Sequence, residues 1–170
     1  MRNRILQPVL ALAFLCLSFT LSAQDNDMST ASGYMGAISE QYSQINQDMM
    51  SYVSATAHSR RAKKIEKKRK EVVGTMSQAI RKIKRMPEFK EDGTYRDAVL
   101  DYLNVRFSVM NDDYASLVDM EEVAEQSYDA MELYILTKEK INEKLEAANL
   151  KLKEAQRQFA SDNNINLVST

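Results

Sequence analysis

From Met35 the apolar positions fall at Met35, Ile38, Tyr42, Ile45, Met49 and Tyr52, in alternating steps of three and four. That spacing gathers all six onto one face of a helix with 3.6 residues per turn. A second stripe, Ile65, Val72, Met76, Ala79, Ile80, Ile83 and Met86, is displaced by one position from where the first would continue, and the polar join His58-Ser59-Arg60-Arg61 separates the two. The pattern predicts two helices, 31–57 and 60–86. Pro87 lacks the N–H that would continue the second helix, and residues 88–94 hold the strongest loop chemistry of the chain, so a turn is expected there.

Thr94 followed by Asp97 reads as an N-cap with an acidic third residue, and the stripe Leu103, Phe107, Met110, Tyr114, Leu117 places a third helix from about residue 95. Asn111-Asp112-Asp113 weakens helix propensity, and Asp119 or Glu122 could cap a fresh start, which puts the next join near 118–119. Ala124, Tyr128, Met131 and Ile135, then Leu145, Ala148, Leu152, Ala155 and Phe159, carry a fourth, long helix to about residue 161. The run Ser161-Asp-Asn-Asn164 ends it, and Ile165 to Val168 form an apolar tail able to fold back.

No predicted helix is apolar all round, so each must lay its stripe against others. An all-α antiparallel four-helix bundle satisfies that need with short connections. The alternative is a long two-rod helical hairpin, a coiled coil in which helices one and two fuse, as do three and four. The expected core includes Tyr42, Ile45, Met49, Val72, Met76, Ile83, Phe107, Tyr114, Met131, Ile135 and Leu145.

Residues 1–23 break this heptad picture. They carry no acid, begin with Arg2 and Arg4, and run through the apolar stretch Val9 to Leu21 to the small residues Ser22 and Ala23. This is the pattern of a signal peptide cleaved after Ala23, since the apolar run is short of the roughly 20 residues that span a bilayer. Leu15 stands before Cys16 where lipoprotein processing needs a small residue, so lipidation is the minor reading. The expected organisation is a signal peptide (1–23), a flexible mature N-terminus (24–33), the bundle (34–161) and a C-terminal tail (162–170). Export to the periplasm or cell surface of a bacterium follows, with no transmembrane span in the mature chain.

Composition narrows the chemistry. Only 4 Gly and 2 Pro in 170 residues argue against a turn-rich sheet fold, and 1 His with 1 Cys excludes zinc, iron–sulfur and disulfide frameworks, each of which needs several such ligands. A di-iron bundle needs two Glu-x-x-His pairs, whereas Ala55 stands three residues before His58. Serine nucleophiles have no base other than His58, and there is no glycine-rich phosphate loop. No catalytic, metal or cofactor residues are assigned, and an enzyme is not expected. A cofactor-binding bundle using His58 and a Met is the weakest alternative.

Charge is segregated along the chain. Residues 58–87 hold 12 basic and 2 acidic side chains, whereas residues 88–135 hold 3 basic and 13 acidic. The densest run supplies a candidate basic face: Arg60, Arg61, Lys63, Lys64, Lys67, Lys68, Arg69 and Lys70. Clustered cations attract polyanions by releasing their condensed counterions, although export argues against nucleic acid. The plainer expectation is that this helix lies beside the acidic segment Asp112 to Glu132, the opposite fields selecting neighbours. Glu121, Glu122, Glu125, Asp129 and Glu132 are expected as a solvated acidic face rather than a cation site.

Four stretches, Ser51 to Glu71, Met86-Pro-Glu-Phe with Thr94-Tyr-Arg-Asp97, Asp113 to Tyr134 and Phe159 to Leu167, together resemble a family of exported bacterial proteins described only as surface proteins. The resemblance implies an envelope location and carries no activity, cofactor or site residue. The expected function is that of an exported non-enzymatic helical protein of the cell envelope or surface, whose partner is an envelope protein or an anionic envelope surface. A periplasmic holdase-type chaperone is the alternative.

Overall fold

The computed structural model describes residues 27–58, 61–117, 120 and 127–167. Among them the chain forms four helices and no strand: α1 (Ala31–His58), α2 (Ala62–Lys84), α3 (Thr94–Ser108) with a π-helical turn at Val109–Asp113, and α4 (Tyr128–Asp162). The fold is an all-α bundle.

Several helix ends are closed by local chemistry. The hydroxyl of Thr30 accepts from Gly33 N–H at 3.0 Å, so α1 starts inside the segment 24–33 that was expected to be flexible, and Gly33 is buried. Gly93, rather than Thr94, is the N-cap of α3, and the carboxylate of Asp92 before it accepts from the Thr94 N–H at 2.8 Å. Ser127 caps α4 by accepting from Ala130 N–H at 3.1 Å, so the described part of the fourth helix begins at Tyr128. At its far end Asn164 takes φ 55°, and the N–H of Ile165 reaches back to the Ala160 carbonyl at 2.8 Å. This left-handed Asn closes a Schellman motif and turns Ile165 and Leu167 onto the core.

The expected turn after Pro87 is a tight hairpin in which Phe89 and Asp92 exchange backbone hydrogen bonds of 3.1 and 3.0 Å. Positive φ falls on Lys90 and Glu91, not on Gly93. The hairpin delivers Phe89 into an aromatic cluster with Tyr34 of α1, Tyr95 of α3 and Phe159 of α4, with ring centroids 4.9 to 6.0 Å apart. The Tyr34 hydroxyl also donates to the Pro87 carbonyl at 2.8 Å. One end of the bundle thus gathers the start of α1, the α2–α3 turn, the start of α3 and the end of α4. Beyond it α1 packs on α2, α2 on α3, and α3 on α4. Because α1 lies against α2 and α3 against α4, neither pair forms the continuous rod of the two-rod alternative.

The stripes of α1 and α2 are seated as their spacing predicts: Ile38, Ile45, Met49, Val72, Met76 and Ile83 are all at most 1% exposed. Three departures have physical causes. Ile135 is 47% exposed and Tyr134 takes the core place beside it, because the register that buries Ile141 and Leu152 points residue 134 inward. Phe107 is only partly buried, since Arg106 occupies the core position on that turn with its guanidinium carbon 5.5 Å from the Tyr102 ring centre. Met131 and Leu145 pack at the core edge rather than within it.

Candidate binding face on the second helix

The basic run divides between the two sides of α2. Ile65, Val72, Met76, Ala79 and Ile83 face the core, and Arg69 stands among them, 7% exposed, at the step between Ile65 and Val72. Lys63, Lys64, Lys67 and Lys70 are exposed, whereas Lys68 lies at the flank with its side chain 31% exposed. Arg61 is exposed at the N-cap, in extended backbone conformation. Arg60 lies outside the described residues.

Arg69 is therefore a structural clamp, not part of an anion-binding surface. Its Nε and Nη2 donate to the two oxygens of Glu66 at 2.8 and 2.9 Å, a fork matched to the carboxylate. Its Nη1 donates to the carbonyls of Met110 and Asn111 at 2.5 and 3.0 Å. Both carbonyls lie in the π-turn, where the extra residue disturbs the helical ladder and leaves acceptors in need of a donor. The Arg69 hydrogen bonds hold the Glu66 carboxyl below its ordinary pKa against the opposing effect of burial, and Lys70 adds to the depression.

Among the described residues, Lys67, Lys68 and Lys70 are matched within their own helix rather than to the acidic segment. Glu71 takes Lys68 at 2.6 Å and Lys67 at 4.0 Å, and Glu66 takes Lys70 at 3.4 Å, all within α2. The acidic π-turn is engaged from α4 instead, where Lys144 lies 3.1 Å from Asp113. Asp129 and Glu132 are exposed; Glu121, Glu122 and Glu125 lie outside the described residues. The short reach of lysine to the nearest carboxylate on the same helix decides this, because i, i+3 and i, i+4 partners are already within contact distance.

The outward cations continue beyond the run. Lys63, Lys67, Lys70, Arg81 and Arg85 are spaced by four, three, eleven and four, which returns them to one face at 100° per residue, and Lys84 stands beside the last two. Between the two groups this face carries Gly74, Ser77 and Gln78. An open, shallow depression lined by Lys63, Glu66, Lys67, Lys70 and Glu71 marks the N-terminal group. The sequence run alone missed the C-terminal group; helical periodicity carried past Lys70 would have found it.

The candidates for other chemistry do not converge. His58 is exposed at the end of α1, its Nδ1 3.1 Å from the Ser54 carbonyl of the same helix. Among the described residues no three His, Cys, Asp or Glu side chains cluster as metal ligands, and no helix is long and apolar enough to cross a membrane. Comparison with known protein families, curated proteins and solved structures finds no match to this chain.

Proposed function

We propose that this is an exported, non-enzymatic helical protein of the bacterial cell envelope or surface, acting through the outer face of α2 on an envelope protein or an anionic envelope surface. The observation that carries the reading is the row of exposed cations on a helix whose opposite side is committed to the core. Such a row adds little to folding, since exposed ion pairs contribute only about 0.2–1 kcal/mol each, but it creates a local positive field. The signal-like segment 1–23 supports export, and the resemblance noted above points the same way.

The test is retention of the purified protein on isolated envelopes. Wild type should bind and elute with salt, whereas Lys63→Ala, Lys67→Ala and Lys70→Ala combined should abolish retention with little change in thermal midpoint. Retention that is indifferent to these substitutions would sink the reading. Mass analysis of protein from envelope fractions should place the mature N-terminus at Gln24, and protease shaving of intact cells separates a surface from a periplasmic site.

A holdase-type chaperone is the second reading, favoured by the large apolar side chains Leu133, Ile135 and Leu136 of α4, which are 45–57% exposed. Suppressed aggregation of an unfolded outer-membrane barrel protein at stoichiometric amounts would support it, and undiminished aggregation would remove it.

A further inference from the structure

The outer face of α2 has a shape as well as a charge. Its cations form two pads, Lys63, Lys67 and Lys70 near one end and Arg81, Lys84 and Arg85 at the other, about 33 Å from first to last at 1.5 Å per residue. The nearest counter-charges are Glu66 and Glu71, and Glu66 is already held by both arms of Arg69, so the N-terminal pad keeps a net positive charge. Between the pads lies a neutral saddle. A Cβ added at Gly74 would meet nothing within 4 Å, although glycine inside a helix costs about 1 kcal/mol relative to alanine. Packing does not require glycine there; its effect is a bare stretch of backbone flanked by the Ser77 hydroxyl and the exposed Gln78 amide.

The row is bounded on both sides by acids. Asp48 of α1 accepts a hydrogen bond from Thr75 at one flank, and the exposed Asp112 of the π-turn stands at the other, close enough to influence Arg69 electrostatically. No Lys or Arg occurs anywhere in α1. Carboxylates on both flanks oppose the approach of a broad anionic surface more than that of a narrow chain lying along the helix. None of the exposed large hydrophobic side chains belongs to α2, so the face offers neither an anchor for lipid nor a platform for stacking bases.

We infer that the outer face of α2 is a binding site for a linear acidic polysaccharide, whose anionic groups meet the two pads while neutral sugar rings cross the Gly74–Ser77–Gln78 saddle. This assignment rests on the cationic-face reading of the protein and narrows it to one chemical class.

The test is titration of the purified protein with oligogalacturonates of increasing length, beside single-stranded DNA of matched charge and phosphatidylglycerol vesicles. Affinity for the oligosaccharide should rise with length until the chain spans about 33 Å and then level off. Lys63→Ala, Lys67→Ala and Lys70→Ala combined, or Arg81→Ala, Lys84→Ala and Arg85→Ala combined, should each weaken binding at least tenfold and flatten its salt dependence. Gly74→Leu, which fills the saddle without touching a charge, should weaken oligosaccharide binding while leaving vesicle adsorption unchanged. The thermal midpoint, read in parallel, confirms that each variant is folded. Binding independent of oligosaccharide length, or tighter binding to vesicles or DNA, would overturn the polysaccharide assignment while leaving a cationic binding face. Failure of all three probes at low salt would overturn the polysaccharide assignment and, with it, the anionic-surface form of the cationic-face reading.

Discussion

Arg69 on α2 donates a hydrogen bond of 2.5 Å to the backbone carbonyl of Met110, and through it the most basic helix is fastened to the π-turn that follows α3. A cation in the middle of an apolar stripe is tolerated because its charge is matched by Glu66 and its remaining donors are absorbed by Met110 and Asn111.

Replacing Arg69 by Ala should therefore be the most damaging change in the basic run. It leaves two π-turn carbonyls without their donor, a loss of about 2–3 kcal/mol in urea unfolding. Lys63→Ala, on the exposed side of the same helix, should shift stability by less than about 0.5 kcal/mol. Equal costs at the two positions would show that Arg69 is as superficial as its neighbours.

Tyr42 carries a buried hydroxyl with no hydrogen-bond partner. Its replacement by Phe keeps the ring and removes the desolvated oxygen, so stability should rise by about 1 kcal/mol. At Tyr34 the same substitution deletes the bond to the Pro87 carbonyl and should instead cost about 1 kcal/mol. Opposite signs in thermal or urea unfolding are the expected result.

The register of α4 is tested by two adjacent residues. Tyr134→Ala should cost about 3–5 kcal/mol because the ring is 3% exposed, whereas Ile135→Ala should cost under about 1 kcal/mol because that side chain is 47% exposed. Reversed costs would mean that the helix presents its other face to the core.

Alkaline pH should unfold the protein cooperatively. Burial raises the phenol pKa of Tyr42, Tyr95 and Tyr114 above the ordinary 10.0. A group with a raised folded-state pKa contributes stability that is complete below its unfolded pKa and is lost as pH climbs toward the folded value. The unfolding free energy from urea titration should hold up to about pH 9 and fall above pH 10, by as much as about 1.4 kcal/mol per pH unit for each buried phenol. Tyrosinate absorbance from these three rings should appear together with loss of helical circular dichroism. Their titration within a fully helical protein would contradict the burial.

The helices were legible in the order of residues alone. Apolar residues at steps of three and four have one way to share a face, and scarce Gly and Pro leave few places to stop, so α1 and α2 and the turn at residues 88–94 were legible to within a few residues. The order of residues also marked α2 as strongly basic, because charge runs are visible without coordinates. Tertiary structure decided what each charge does. Arg69 occupies a stripe position, but only the carbonyls of Met110 and Asn111, more than forty residues away, make a guanidinium acceptable there. The lysines around it settle on Glu66 and Glu71 because intrahelical reach is shorter than the gap to another helix. On α4, Tyr134 and Ile135 are both apolar enough for the core. Which of them enters depends on the rotation of the whole helix against α3, a property of packed partners that adjacent side chains cannot encode alone.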